Sequence, residues 1–355
     1  SSGRGGHSRL PDMDTVTVVI PTFNRRGLLS ECLDSVFRQD YPELEVIVID
    51  DGSTDDTVSL LKTRYPEVTV ITNSLSMGPA YGKNQGIMAG RGTFLHFLDS
   101  DSELISDTTI STMVGIMKQH SDIGILGGIA QLDGKGVVQS AFGKEVTFDG
   151  RSYPVFVDRS DEDFAPDRLV DCRYVETCNC FVRSEALERV GGFDPWYVYM
   201  GEDKEFGLNV TGLGYRCCFS VETSCLHKFD RTVKFNRAYM YLRTKMHFML
   251  KNRGLRYALL TPLLDSYFFL VYFPFLFLIR HVVPSARKSY VFRNRVSPNT
   301  KPPSAAWLFL APWFFLKAYF WNYSRMGRIV RSRGTNFLTE ENMNAYRDSI
   351  GRHAA

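Results

Sequence analysis

From Thr15 onward two patterns alternate along the chain. Apolar, β-branched runs of strand length occur in TVTVVIPTF (15–23), LEVIVIDDGSTDDT (44–57), VTVITN (68–73) and GTFLHFLDSDS (92–102). Between them lie segments with helical spacing. In GLLSECLDSVFRQDYP the apolar positions Leu28, Leu29, Cys32, Leu33, Val36 and Phe37 fall on one face, and GPAYGKNQGIMAG (78–90) predicts a further helix. Strands that are apolar almost throughout, separated by helices, predict a parallel sheet covered on both faces, an α/β fold. Residues 107–120 predict another helix, 123–158 strands with a Gly-rich loop, 184–191 a short helix, and GEDKEFGLNVTGLGYRCCF (201–219) an acid-headed helix followed by a strand. Ligands of such sheets bind beyond the carboxyl ends of the strands, where Asp50, Asp51, Asp99 and Asp101 fall.

Charge divides the chain in two. Residues 1–227 carry 20 Lys and Arg against 34 Asp and Glu, whereas residues 228–355 carry 22 against 5. The acidic part suits a cation-assisted site, and the basic, aromatic part suits an anionic membrane surface. The apolar segments 257–279 and 305–323 contain Pro262, Asp265 and Pro274 in the first and Pro312 and Lys317 in the second. Their uncharged runs fall short of the ~20 residues that a span needs. They are expected as helices lying in the interface or entering one leaflet, with Trp307, Trp313 and Trp321 at headgroup level, on the cytoplasmic face. Buried core helices or a homo-oligomer interface are the alternative. The cations surround apolar aromatic runs rather than forming a polar stripe, so nucleic acid is not an expected partner. Seven irregularly spaced cysteines lack paired CxxC knuckles and read as reduced thiols rather than a zinc site. The Gly/Ser-rich residues 1–14 read as a disordered tail.

The Asp99-Ser100-Asp101 turn raises a specific question of chemistry. Two carboxylates held ~4 Å apart repel by about 4 kcal/mol at an effective dielectric near 20. A hard divalent cation, Mg²⁺ or Mn²⁺, turns that repulsion into shared attraction and leaves positions open for a substrate diphosphate. A Walker loop is excluded because GPAYGK is one residue short between its glycines and Asn84 stands where Ser or Thr belongs. No G-x-G-x-x-G follows the first strand, which removes the main support for hydride transfer.

Six segments in fixed order, VVIPTFNRRGLLSECLDSV, VIVIDDGSTDDT, GPAYGKNQGI, FLDSDSEL, GGFDPWYVYMGEDKEFGLNVTGLGYR and CLHKFD, together resemble the GT-A catalytic domain of family 2 inverting glycosyltransferases of the membrane-associated type. The resemblance spans roughly residues 15–230. It implies a mixed, mostly parallel sheet over 15–232; the change of composition beyond it marks off a basic aromatic helical region over 233–333 and a C-terminal tail over 334–355. It also implies a nucleotide-diphosphate sugar donor, UDP-sugar favoured, a lipid-linked or cell-surface glycan acceptor, and Mg²⁺ or Mn²⁺. Pro21, Thr22, Asn24 and Asp51 would hold the nucleoside, and Asp50 the turn. Lys83 would supply a point charge to the nucleotide, and Asp99 with Ser100 would address the sugar or ribose. Asp101 and His227 would bind the metal. Asp203, beside Glu202, would be the general base, Trp196 would form an acceptor wall, and Arg231 and Lys234 would close over the diphosphate. The rivals are a nucleotidyltransferase, which should show a basic Gly-rich phosphate loop near the N-terminus, and a membrane scaffold that binds nucleotide without turnover.

Overall fold

The computed structural model describes residues 14–131, 143–155, 169–197, 200–228, 236–267 and 305–354. Strand β1 (Val16–Thr22), helix α1 (Arg26–Phe37), β2 (Leu44–Asp50), α2 (Thr57–Arg64), β3 (Thr69–Thr72), α3 (Pro79–Ala89) and β4 (Phe94–Leu98) follow the alternation read from the sequence. The four strands pair in parallel in the order β3-β2-β1-β4. Side chains alternate across β1, with Val18 and Ile20 joining the core beneath α1 and Val19 the opposite core with Ile49 and Phe97. Helix α3 lies very close to the sheet. A Cβ on Gly86 would stand 2.2 Å from the Val19 side chain, so only glycine lets this turn of α3 approach β1.

Beyond β4 the sheet becomes mixed. β5 (Ser102–Leu104), α4 (Thr109–Gln119), β6 (Ile123–Gln131), the hairpin β7 (Lys144–Val146) and β8 (Ser152–Pro154), β9 (Leu169–Asp171), β10 (Asn179–Arg183), α5 (Ser184–Val190), α6 (Glu202–Gly212) and β11 (Arg216–His227) follow. β10 runs antiparallel between β4 and β6, and β11 runs parallel to β6 but antiparallel to β5 and β9. The all-parallel expectation from the apolar runs is therefore corrected, and the mixed, mostly parallel sheet implied by the family resemblance is found. Strand β10 escapes the pattern because its first residue is a buried Asn. Asn179 is satisfied internally, bonding His96 Nε2 at 2.8 Å and donating to the Thr223 carbonyl at 2.7 Å.

The basic region forms α7 (Asn236–Phe248), a π-helical turn (Met249–Arg253), α8 (Leu255–Tyr267), α9 (Ala305–Tyr323) and α10 (Met326–Arg331). Its core of Leu242, Met246, Phe248, Met249, Ala258, Phe315 and Ala318 is joined to the sheet portion through Tyr197. Asp265, which interrupts an apolar segment in the sequence, is buried here, paired with Lys245 and accepting from Tyr319 Oη at 2.9 Å. Among the described residues no helix is long and apolar enough to cross a membrane. The stretch expected as a C-terminal tail instead contains α11 (Glu340–Ala354), which seats Met343 and Tyr346 against Met77 and Tyr81. Residues 1–13, Arg231 and Lys234 lie outside the described residues.

Candidate active site

The register of β5 on β11 assembles one end of the site. Ser102 pairs with His227, and Lys228 N donates to the Asp101 carbonyl at 2.8 Å, so the turn after β4 and the end of β11 meet. Ligand atoms of Asp99, Asp101 and His227 lie within 4.8 Å of one another. His227 Nε2 is 3.3 Å from Asp101 Oδ1 and 3.8 Å from Asp99 Oδ2. Arg25 Nη1 holds the other Asp101 oxygen at 2.8 Å. Burial opposes charge on His227, but the Asp101 and Cys178 side chains and the Asp99 charge raise it to about 11. Burial and the Asp101 charge push Asp99 up. Asp101, despite burial, is held down by His227 and Arg25.

This donor set fits a hard divalent cation. Two carboxylates and one imidazole converge, and Asp101 Oδ1 is buried without a hydrogen-bond partner among the described residues. The seven cysteines are all buried free thiols, and among the described residues this triad is the metal-type cluster of three or more His, Cys, Asp or Glu.

Helix α6 supplies the other end. Gly201 at its N-cap has φ +101°, a conformation that favours glycine, and Glu202, Asp203 and Glu205 crowd the first turn. Two of these acids are neutralised by buried lysines. Lys83 Nζ from α3 reaches Glu202 at 2.9 Å and bonds Thr177, and Lys251 Nζ from the π-helical turn reaches Glu205 at 2.9 Å and Asp194 at 2.6 Å. Asp203 has no such cation partner among the described residues; its Oδ1 accepts from Lys204 N at 2.7 Å. Burial and the charges of Glu202 and Glu176 raise the Asp203 carboxyl to about 7. The Lys83 ammonium stands between the two ends. Burial opposes its charge, but Glu202, Asp99 and Asp203 outweigh that and raise its pKa.

The turns after β1 and β2 adjoin the acidic triad through Arg25. Asn24, at φ +52°, accepts from Thr54 N at 2.7 Å and donates its own N–H to Ser53 Oγ at 2.9 Å, locking the two turns together. Asp50 accepts from Ser53 N at 3.2 Å, the turn role expected of it. Asp51 has both oxygens engaged by the 73–78 loop, through Asn73 Nδ2, Ser76 Oγ, Met77 N and Gly78 N at 2.8–3.0 Å. Pro21 is half-buried, and Thr22 and Ser100 are buried with hydroxyls that find no hydrogen-bond partner among the described residues.

Residues 17–147 match the family model described as glycosyl transferase family 2. The chain carries a glycosyl transferase family 2 domain. A poly(ribitol-phosphate) beta-glucosyltransferase of Bacillus spizizenii is 35% identical over 133 residues, 36% of this chain and 21% of that protein. A GalNAc(5)-diNAcBac-PP-undecaprenol beta-1,3-glucosyltransferase of Campylobacter jejuni is 39% identical over 106 residues, 29% of this chain and 34% of that protein. The chain thus spans a fifth to a third of the length of these curated relatives. In fold, it is similar to a mannosyltransferase from Pyrobaculum calidifontis solved with GDP-Man and Mn²⁺, at TM-score 0.51 and 19% identity over 91% of this chain and 87% of that one.

The structure gathers Asp99 and Asp101, which fall within the matched residues, with His227 at one end of the cleft, and Glu202 and Asp203 lie at the other. Lys83 is 1% exposed and committed to Glu202 and Thr177, so its charge reaches the cleft through the pair rather than as a free cation. Trp196 meets Tyr346 edge-on at 5.0 Å, with the Arg328 guanidinium 4.6 Å from its ring centre, and so packs against α11 and α10. Sequence reasoning missed Arg25, Thr177 and Tyr346. Arg25 directly follows the Pro21–Asn24 segment and was within reach of the motif. Thr177 and Tyr346 carry no local signal.

Proposed function

We propose that the chain is a metal-dependent inverting glycosyltransferase that moves a sugar from a nucleotide-diphosphate sugar to a hydroxyl of a lipid-linked or cell-surface glycan. The observation that carries the reading is Asp203. It is an acid at the start of α6 whose two acidic neighbours are neutralised by lysines, while it forms no ion pair among the described residues and is raised to about 7. A carboxylate poised near the working pH is suited to general-base catalysis. In the step proposed, the acceptor hydroxyl gives its proton to Asp203 as its oxygen bonds to the anomeric carbon. The bond from that carbon to the diphosphate oxygen breaks on the opposite face.

Asp99, Asp101 and His227 would hold Mg²⁺ or Mn²⁺, which when bound supplies charge stabilisation to the diphosphate leaving group. Arg25 fixes the far oxygen of Asp101, which keeps Oδ1 aimed at His227. Lys83 neutralises Glu202, so Asp203 rather than its neighbour carries the unpaired charge. The relatives' acceptors, a poly(ribitol-phosphate) and a diphospho-undecaprenol-linked glycan by their names, support an acceptor of that kind.

The test is nucleoside diphosphate release from UDP-, GDP- and dTDP-sugars with and without Mn²⁺, alongside thermal shift of the same mixtures, since a ligand that binds only the folded state raises its Tm. One donor should stabilise the protein in a Mn²⁺-dependent way and be turned over, with an inverted anomeric proton in the product spectrum. Stabilisation without release from any donor would favour a nucleotide-binding scaffold. No stabilisation by any donor would end the reading.

A further inference from the structure

Helix α8 is built inside out for a helix that faces water. Its buried positions are Ala258, Thr261 and Asp265, while Leu255, Tyr257, Leu259, Leu260, Leu263 and Tyr267 are 49–68% exposed. Its one acid points inward to Lys245 and Tyr319. Helix α9 buries the polar Asn322, whose Nδ2 donates to the Arg243 carbonyl at 2.9 Å, beside Phe315, Ala318 and Tyr319, and presents Trp313, Leu316 and Phe320 at 62%, 66% and 76% exposure. Tyr319 Oη on Asp265 and Tyr323 Oη on the Ala258 carbonyl, at 3.4 Å, tie the two helices side by side. A helix solvated by water has its polar stripe outside, and a soluble monomer rarely shows an apolar surface of this extent.

The charge around these stripes is of one sign. Arg253 and Arg256 are exposed at the start of α8, Lys317 is exposed between Leu316 and Phe320 in sequence, and Arg328 and Arg331 are exposed on α10. Between residues 233 and 339 the sequence holds 18 Lys and Arg and a single acid, the interior Asp265. Two copies meeting through this surface would bring like charges together, whereas anionic headgroups complement it.

We propose that the outer faces of α8 and α9 dock on a lipid bilayer bearing anionic headgroups. Leu259, Leu263, Trp313, Leu316 and Phe320 enter the boundary between headgroups and acyl chains, and Arg256 and Lys317 reach lipid phosphates. The proposal rests on this surface alone and not on the glycosyl-transfer reading.

Vesicle flotation of the 355-residue chain tests it, using phosphatidylcholine vesicles with and without phosphatidylglycerol. The wild type should float with the anionic vesicles, at least tenfold more than with neutral ones. Leu263→Glu combined with Phe320→Glu should cut the bound fraction tenfold or more while keeping the wild-type Tm. Ile105→Glu, at an exposed apolar position in the sheet portion, should float like the wild type. The proposal is overturned if the wild type stays at the bottom of the gradient, if the double variant floats unchanged, or if Ile105→Glu loses binding as well. A stable dimer in vesicle-free solution that the double variant dissociates would make a second copy the occupant and would equally overturn it.

Discussion

Asp203 carries its charge against its surroundings. An unfolded aspartate titrates near 3.9, whereas here burial and the neighbouring acids raise the carboxyl to about 7. The folded chain therefore holds this proton more tightly than the unfolded one, and stability falls as pH rises from about 4 to about 7. Two outcomes follow for Asp203→Asn, which cannot ionise. Its Tm at pH 8 should equal or exceed that of the wild type, and its kcat should drop by ~10²–10⁴, the usual span of general-base catalysis. In the wild type kcat/KM should climb through about pH 7. A variant that loses donor affinity as much as turnover would move Asp203 to the donor side. At the other end of the cleft, Asp101→Ala should leave metal-free nucleotide affinity nearly unchanged and erase the gain that Mn²⁺ brings. Calorimetric titrations with and without Mn²⁺ read this directly, and an undiminished Mn²⁺ effect would remove Asp101 from the ligand set.

At the scale of elements, α3 and α6 are clamped by charge as much as by packing. Lys83 and Glu202 form a buried pair that joins them, with both side chains under 10% exposed. Removing one partner of such a pair leaves an uncompensated charge and typically costs ~3–5 kcal/mol. Lys83→Met should therefore lower the unfolding free energy by about that amount in urea titrations, and adding Glu202→Leu should restore much of it. A loss below ~1 kcal/mol for the single variant would mean that Glu202 finds another partner. The elements themselves differed in how readily the sequence disclosed them. β1, β2 and β4 are largely buried on both faces and read as nearly continuous apolar runs, and Asp99, Asp101 and Asp203 stand at the ends or starts of recognisable elements. β10 was hidden because Asn179 breaks its apolar run while being satisfied inside the sheet. Arg25 adjoined a motif that was read and could have been found there, whereas Tyr346 was hidden because its hydrogen-bond partner Met77 lies 269 residues away.

Across the whole molecule, the sheet portion and the C-terminal helices do not separate at the composition boundary near residue 232. Asp194 and Glu205 are buried on the sheet side, and their partners, His247 and Lys251, come from the helical side. Cutting the chain after Lys228 would strand both acids and uncover the core around Tyr197. Such a fragment should aggregate or lose its nucleotide-dependent thermal shift; a soluble fragment that keeps that shift would show that the portions fold independently. The contact between α11 and the 73–78 loop adds a dimension of time. Tyr346 Oη donates to the Met77 carbonyl at 3.1 Å across 269 residues of sequence, and Met77 N is one of the donors that fix Asp51. At ~5–20 residues per second on a ribosome, roughly 15–50 s separate the synthesis of that loop from the arrival of the tyrosine that braces it. A nascent chain could thus complete its sheet well before the loop that holds Asp51 gains its brace from α11.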